Sequence, residues 1–396
     1  MVSGRFIFFS GGMSRGLRPK AHLVVTAIKN QPLLPDLPVR RVEEMGLKEL
    51  ERIRLILRGG SVIEWRRMHF NNWDEVDRFL RLQQIDPTRK YDEAWVRAVL
   101  ADAVEYLRKT FNYRVADAVA NPNMIHDLFL YASGHIDKRM RKIACIVLKT
   151  MHVIQHIEAR DVLFHIAVPE AELARMVTAR VNEVMEEARQ KGLPIVEFSD
   201  SIKTRESTIT KLIAKKDSTA AVVYDRTRFR IIVKERDDVI PTLYFLNQRL
   251  LPFNFIVPSQ TENTLIRFKD LVKQYPNFKK YARQLHLDLD FEERELAARV
   301  GNTFSGSTYK ALNFVADVPL RLDAFLPPPE DDHRERKCRI ALATCEFQIA
   351  DEKTAIENEK GENSHERYKQ RQRDVVLKRL SSGLVVPKKK RTSAGS

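Results

Sequence analysis

Four charged residues lie inside the most strand-like stretch of the chain, VYDRTRFRIIV at 223–233. The apolar ends of this stretch predict a strand that enters a core. Its middle nevertheless contains Asp225, Arg226, Arg228 and Arg230. Charges inside a sheet lower the stability of the fold unless they are paired or bind a charged ligand. The stretch therefore predicts either a cluster of salt bridges or a ligand site built on a strand.

The first part of the chain has helical patterning, from about Gly46 to Phe164. In WVRAVLADAVEYLRKTF, one apolar stripe recurs at three- or four-residue spacing, formed by Val96, Leu100, Ala103, Leu107 and Phe111. RKIACIVLKTMHVIQHI is apolar on most faces and predicts a central helix. EAELARMVTARVNEVMEEARQKG predicts another helix, which ends at Gly192.

After Pro194, short β-rich runs alternate with helices. The runs are STAAVVYDRTRFRIIV, DDVIPTLYFLNQRL and LPFNFIVPS, and an antiparallel pair is expected between VPLRLDAFL and RIALATCEFQIA. We therefore predict an α+β protein, with a helical N-terminal domain followed by a mixed β-sheet flanked by helices. The expected bounds are a flexible leader and linker at 1–45, the helical domain at 46–165, the sheet domain at 166–380 and a basic flexible tail at 381–396.

The composition limits the partners and the location. A net charge of +15 favours polyanions such as nucleotides or RNA, although PKKKR at 387–391 places part of this charge in the tail. Three cysteines without a CxxC pair predict a reducing, cytoplasmic location and no cysteine zinc site. No apolar run approaches the roughly 18 residues of a membrane span, so we expect no membrane association.

A second acid, Glu346, lies among apolar residues in ATCEFQIA. Strand alternation turns Ala343, Cys345, Phe347 and Ile349 to the core and leaves Glu346 and Gln348 on the opposite face. Acids from two neighbouring strands can hold Mg²⁺, which prefers oxygen ligands, and nearby arginines can bind phosphate oxygens. The residues alone leave a plain salt bridge open as the alternative.

Four motifs follow one another in the second half of the chain: SIKTRESTITKL, the strand with Asp225 and Arg230, GSTYKALNFV, and EFQIADEKTAIENEKGENSHERYK. In this order they resemble the synthetase domain of the RelA/SpoT family, the alarmone synthetases, over about residues 195–372. The resemblance implies a nucleotidyltransferase-like sheet and the transfer of pyrophosphate from ATP to the 3′-hydroxyl of a guanine nucleotide.

The resemblance also implies a role for each site residue. Asp225 and Glu346 would be the catalytic acids and the ligands of Mg²⁺, with Glu346 also drawing the proton from the attacking hydroxyl. Tyr309 would stack on the acceptor base, beside Gln348. Lys203, Lys211 and Arg230 would neutralise charge as the β-phosphorus is attacked. His365 and Lys369 would line the phosphate side or brace the last helix. Asp225 and Arg230 have opposite strand parity, so a bulge or a strand end must bring them together.

Several positions depart from the family pattern. A glycine is replaced by Arg228, a serine by Ala311, a histidine by Asn313 and an arginine by Ala350. The loop changes leave the acceptor open. A tRNA 3′ end is the first rival, favoured by the positive charge, and a non-catalytic nucleotide- or RNA-binding regulator is the second. A homo-oligomer is also left open.

Histidines in the helical part are candidate metal ligands, because long enzymes of the family that the motifs resemble carry a helical hydrolase with an H…HD…D ligand set. IHD at 125–127 lacks the flanking LHD-x-x-E-D pattern and an upstream histidine block. His152 and His156 are one turn apart and could bind a metal. Histidines on an apolar helix are more often core residues, so we predict a structural or regulatory domain without hydrolase activity.

Overall fold

The computed structural model describes residues 34–59, 69–166, 168–214, 227–281, 309–328, 337–360 and 365–381. In the first half, the helices are α1 (Leu47–Arg58), α2 (Trp73–Leu82), α3 (Lys90–Phe111), α4 (Asp117–Ala120), α5 (Ile125–Ser133), α6 (Arg141–His165) and α7 (Glu170–Gln190). In the second half they are α8 (Arg205–Ala214), α9 (Val239–Arg249), α10 (Phe268–Gln274), α11 (Pro276–Lys279), α12 (Glu352–Asn358) and α13 (His365–Leu380).

The strands form one mixed sheet. They are β1 (Ile195–Ile202), β2 (Thr227–Val233), β3 (Glu262–Asn263), β4 (Leu312–Arg321) and β5 (Ile340–Asp351). Their order is β1-β2-β5-β4-β3, with β2 and β5 parallel and the other neighbours antiparallel. The α+β class is confirmed, and so is the antiparallel pairing of β4 with β5.

One face of the sheet is apolar because alternate residues of each strand point to it. Phe229, Phe347 and Phe314 form a ladder across β2, β5 and β4, with neighbouring ring centroids 5.3 Å apart, and all three are fully buried. Helices α7 and α9 supply apolar side chains to the same core, including Val181 and Leu243. Burial of this face sets the strand register and leaves the opposite face for polar groups.

The helices before residue 166 share a second core. The predicted stripe of α3 is buried at Val96, Leu100, Ala103 and Leu107. Phe111 is 56% exposed, so the prediction that it joins the stripe is wrong. It is the last residue of α3, where the chain turns at Asn112, and its ring contacts Tyr106 and Tyr113 at the surface. As predicted, α6 is central, since it packs against α3, α5 and β5.

Helix α1 packs with the sheet and not only with the other early helices. Its Leu50, Ile53 and Ile56 belong to the core under the apolar sheet face, whereas Leu55 belongs to the helical core. The domain bounds given above stay predictions. Most of the leader and nearly all of the basic tail lie outside the described residues.

Two of the runs grouped with the β-rich stretches are not strands. DDVIPTLYFLNQRL contains helix α9, and LPFNFIVPS contains a short turn of 3₁₀-helix and a single bridge from Ile256 to Ala316. The β-branched and aromatic composition of the first run resembles that of a strand. Its buried Val239, Leu243 and Leu246 are nevertheless spaced three and four residues apart, so a helix buries them on one face.

No helix in the described part of the chain is long and apolar enough to span a bilayer.

Candidate active site

The polar face of the sheet carries the charged strand residues in two aligned rows. Arg228 lies opposite Glu346 in the parallel β2–β5 pair, and Arg230 lies opposite Gln348. The second row continues to Asn313 on β4. The predicted face alternation of Glu346 and Gln348 is confirmed, because Cys345, Phe347 and Ile349 are fully buried on the other side.

Arg228 and Glu346 form a charge-assisted hydrogen-bonded pair at the centre of this face. Arg228 donates from Nε at 3.1 Å and from Nη2 at 2.9 Å, and both bonds reach Oε2 of Glu346. The Glu346 side chain is only 14% exposed, so the arginine compensates the loss of water around the carboxylate. Oε1 of Glu346 accepts no hydrogen bond from the described residues. Oε2 of Glu346 is therefore fixed by hydrogen bonds, and Oε1 can bind a ligand.

Tyr309 joins the face through its hydroxyl, which accepts a hydrogen bond of 2.5 Å from Nε2 of Gln348. The backbone beside it is held by Asn358 of α12, which bonds both the N–H and the carbonyl of Lys310. Burial raises the pKa of the Tyr309 phenol, while the positive charges of Arg228 and Arg230 oppose that rise. The phenol therefore stays protonated near neutral pH and lies within electrostatic range of both arginines.

Arg230 is bracketed by two exposed carboxylates. Its Nη1 is 3.7 Å from Oε1 of Glu197, and its Nη2 is 3.5 Å from Oε1 of Glu359. Such long contacts between partly exposed groups contribute little stability, roughly 0–1 kcal/mol. A phosphate oxygen could therefore displace these acids from Arg230 at small cost.

Asn313 leaves a buried polar atom without a partner on the same face. Its Oδ1 is shielded from solvent and makes no hydrogen bond to any described residue. An unsatisfied buried carbonyl costs about 1–3 kcal/mol, which a bound donor such as a base amine or a hydroxyl would recover. Asn313 lies opposite Gln348, the residue that bonds Tyr309, so its vacant acceptor belongs to the candidate site.

Side-chain contacts within the fold occupy both ends of the polar face. At one end, Thr344 donates a hydrogen bond to Asp317, and Nε2 of His156 from α6 lies 3.4 Å from the same aspartate. At the other end, Ala350 packs with Ile232 and with Ala355 of α12. The site is therefore a strip that holds Arg228, Glu346, Arg230, Gln348 and Asn313, with Tyr309 at its margin.

The remaining predicted residues lie outside the strip, on or next to β1, α8 and α13. Lys203 follows β1, whose Ser201 is opposite Arg228, and Lys211 is in the last turn of α8. Lys369 is an exposed residue of α13, which packs against α8. His365 begins α13. The roles proposed for these residues stay predictions.

Asp225 lies outside the described residues, as does Arg226. The bulge expected between Asp225 and Arg230 therefore stays untested. Within the described ranges, no three His, Cys, Asp or Glu residues are grouped closely enough to hold a metal ion. Glu346 does supply one carboxylate oxygen that accepts no hydrogen bond from the described residues, which is the ligand type that Mg²⁺ prefers. The described donors therefore fit one ligand position, and a two-acid site needs Asp225.

The family departures have visible consequences. Arg228, in place of glycine, holds the carboxylate of Glu346. Asn313, in place of histidine, leaves an acceptor vacant. Ala350, in place of arginine, is buried at 3% exposure, and Ala311 is buried beside Thr264. The sequence motifs did not single out Glu197 as a member of the site. They gave Arg228 only as one of the arginines around Asp225 and as a departure, Asn313 only as a departure, and Glu359 only as part of the final motif.

The histidines of α6 contact neighbouring side chains of the fold. Nδ1 of His152 is 3.0 Å from the Asn254 amide nitrogen, and burial sets the pKa of His152 well below its usual range. Its ring lies 5.5 Å from that of Phe255. His156 packs on the same Phe255 ring and faces Asp317. These contacts fit the predicted structural role, and the regulatory alternative stays a prediction.

No protein-family model matches the sequence, and no curated protein matches it. A search of solved structures finds small alarmone synthetase 2 from Bacillus subtilis, at 13% identity over 53% of this chain and 89% of the other, with a TM-score of 0.28. It also finds small alarmone synthetase 1 from Bacillus subtilis bound to its product pppGpp, at 14% identity, 54% and 89% coverage and a TM-score of 0.29.

A third match is a GTP pyrophosphokinase family protein from Streptococcus pneumoniae, at 15% identity, with 54% and 88% coverage and a TM-score of 0.28. The solved structures that the chain resembles are thus two small alarmone synthetases and a GTP pyrophosphokinase family protein.

Proposed function

We propose that the protein is an ATP-dependent pyrophosphokinase that transfers the β,γ-pyrophosphoryl group of ATP to the 3′-hydroxyl of a guanine nucleotide. The observation that carries this proposal is the convergence of Glu346, Arg228, Arg230, Gln348 and Tyr309 on one sheet face. A shielded acid, two guanidinium groups and an aromatic ring are the groups that a nucleotide hydroxyl, a polyphosphate and a base require.

In this proposal Glu346 is the general base. Oε1 would accept the proton of the 3′-hydroxyl, while Arg228 holds Oε2 and fixes the orientation of the carboxylate. The 3′-oxygen then forms a bond to the β-phosphorus, and the bond from that phosphorus to the bridging oxygen of the α-phosphate breaks. AMP leaves with the bridging oxygen. General-base catalysis of this kind contributes about 10²–10⁴-fold to the rate.

Charge on the transferred group would be neutralised from the strand and from its edge. Arg230 can exchange its long contacts to Glu197 and Glu359 for phosphate oxygens. Lys203 and Lys211 would add positive charge from β1 and α8, with His365 and Lys369 lining the phosphates or bracing α13. Asp225 would be the principal ligand of Mg²⁺, because Oε1 of Glu346 can assist only until it accepts the proton, and the ion would supply charge to offset the triphosphate.

Tyr309 would hold the acceptor base. Its ring is positioned by the Gln348 bond and by the anchored Lys310 backbone, so a purine could stack without reorganising the loop. Oδ1 of Asn313 would accept a hydrogen bond from the acceptor. This amide oxygen can accept a hydrogen bond, and the amino group and the ring N–H of guanine are hydrogen-bond donors.

A tRNA 3′ end is a second candidate acceptor, and the net charge of +15 favours it. A polyanion gains affinity from such a surplus through counterion release, whereas a single nucleotide gains less. A non-catalytic regulator is the third candidate, and it predicts binding without transfer.

One assay separates the three candidates. Purified protein receives γ-labelled ATP and Mg²⁺ with GDP or GTP, with unlabelled ATP, or with bulk tRNA. Label on GDP or GTP supports the proposal, and label on tRNA supports the second acceptor. Glu346→Gln should abolish either transfer, whereas Glu352→Gln, an exposed acid at the start of α12, should retain it. No transfer to any acceptor would leave the regulator.

A further inference from the structure

A cavity lies on the side of the sheet away from Glu346. Its walls come from residues 34–40, α1, α2 and α9, and it encloses about 130 Å³. Helix α9 packs on the apolar sheet face, so this cavity is separate from the polar strip. The volume is many times the roughly 10–15 Å³ that one water molecule needs.

The cavity walls are strongly cationic. Five positive side chains line it, with only two carboxylates: Arg40, Lys48, Arg52, Arg78 and Arg249 against Glu49 and Glu75. Both carboxylates are already engaged. Glu49 accepts from Arg40 at 3.0 Å and from the Gly46 N–H at 2.9 Å. Glu75 accepts from Lys48 at 2.6 Å and from the Asn71 N–H at 3.0 Å.

Two of the guanidinium groups have no direct carboxylate partner among the described residues. Neither Arg52 nor Arg78 forms an ion pair with a described residue, and Nε of Arg52 is buried without a hydrogen-bond partner. Burial lowers the pKa of the Arg52 guanidinium, and the positive charge of Arg78 adds to this, whereas Tyr244, Glu49 and Glu75 act in the opposite direction. A half-buried cation beside a second cation is costly unless an anion contacts both.

We propose that this cavity binds a phosphate group, with Arg52 and Arg78 as its principal ligands. Two guanidinium forks offer parallel N–H donors, and a tetrahedral phosphate has enough oxygens to accept from both. A carboxylate has only two oxygens and would satisfy one fork. The apolar wall formed by residues 34–39 and Phe79 also leaves room for an uncharged portion, so the phosphate can be free or carried by a nucleotide.

The test measures anion binding by calorimetry and by the shift in thermal unfolding temperature. Full-length protein is titrated with inorganic phosphate and, separately, with AMP, in EDTA so that a magnesium-dependent donor site stays unloaded. The variants are Arg78→Gln and Arg52→Gln, with Arg114→Gln as a control that removes one exposed charge after α3. Hydrogen exchange locates the ligand, with slower exchange expected in α1 and α2 but not in β5.

The proposal expects wild-type protein to bind phosphate at millimolar concentration or below and to bind it more weakly as salt rises. Arg78→Gln should weaken binding at least about tenfold, whereas Arg114→Gln and Glu346→Gln should bind as wild type does. Tighter binding of AMP identifies a nucleotide as the ligand, and equal binding identifies phosphate itself.

Absence of binding to wild-type protein would overturn the proposal, as would binding that Arg78→Gln and Arg52→Gln leave unchanged. If Arg52→Gln fails to fold, the half-buried Arg78 still decides the outcome. The transfer assay with Glu346→Gln tests the proposed activity separately, so either idea can fail without the other.

Discussion

Arg228 and Glu346 face each other across the parallel β2–β5 pair, and two donors of the arginine bond a single oxygen of the acid. In the proposed mechanism this makes Arg228 a positioning residue, because it fixes the carboxylate without contacting the transferred group. Arg228→Gln should therefore lower kcat about 10–100-fold and leave KM for the acceptor nearly unchanged.

Two further variants make this test specific. Arg228→Lys keeps the charge but loses the two-donor fork, so it should recover part of the rate. Lys234→Gln removes an exposed cation just after the same strand and should behave as wild type. An unchanged kcat in Arg228→Gln would contradict the positioning role. A large rise in KM would assign Arg228 to substrate binding instead.

Tyr309 should show separable effects of its ring and its hydroxyl. Tyr309→Phe keeps the ring but leaves the Gln348 amide without its acceptor, so the free energy of unfolding should fall by about 1 kcal/mol. KM for the acceptor should change little. Tyr309→Ala also removes the stacking surface, which is worth about 1–3 kcal/mol, so KM should rise about tenfold or more.

Steady-state kinetics and urea unfolding measure the two effects of Tyr309 independently. Equal KM values for Tyr309→Ala and wild type would show that the ring does not hold the acceptor.

The buried ion pair between Arg321 and Asp92 should be among the larger contributors to the stability of the fold. Arg321 ends β4 and donates to both carboxylate oxygens of Asp92 in α3, at 2.6 and 2.7 Å, with both side chains almost fully buried. Asp92→Asn would leave the guanidinium partly uncompensated, so the free energy of unfolding should fall by about 3–5 kcal/mol.

The next residue of α3 provides the control for that measurement. Glu93 pairs with Arg97 at the surface, so Glu93→Gln should cost about 0.5 kcal/mol or less. Urea unfolding followed by circular dichroism gives both values. Similar losses in the two variants would mean that burial does not strengthen the Arg321 pair.

His152 should make the fold less stable in acid. Burial lowers the pKa of His152 well below 6.5, and the Asn254 amide can donate to Nδ1 only while that nitrogen is unprotonated. The unfolded state therefore binds more protons than the native state below pH 6.5. Stability from this residue is complete above that pH and falls below it, by at most about 1.4 kcal/mol per pH unit.

The pH dependence of urea unfolding checks this prediction. His152→Gln cannot titrate, so its free energy of unfolding should change less between about pH 7 and pH 5 than that of wild type. His165→Gln, at the exposed end of α6, should keep the wild-type slope. An unaltered slope in His152→Gln would show that another group causes the acid loss.

Local patterns predicted much of the sheet. Alternation in ATCEFQIA placed Glu346 and Gln348 on one face and Phe347 on the other, as the structure has them. The same alternation was available for Arg228 and Arg230. It could not show that Arg228 bonds Glu346, because that contact joins positions 118 residues apart.

Amino-acid composition gave a wrong prediction where a helix consists of residues that are common in strands. DDVIPTLYFLNQRL is rich in β-branched and aromatic side chains, but the apolar sheet face buries it as α9. Phe111 continues the stripe of α3 in sequence and is exposed, because it is the last residue of that helix. Such outcomes depend on which surfaces meet, and local propensity does not contain that information.

The order of residues in the chain was sufficient to set which side chains share a face, because the pleat of a strand and the turn of a helix are local geometry. Tertiary packing decided which faces meet and in which register, including the Arg228–Glu346 pair, the Tyr309–Gln348 bond and the cationic cavity beside α9. Register is settled by burial of the phenylalanine ladder on the opposite face, so the polar contacts follow from apolar packing that no single motif encodes.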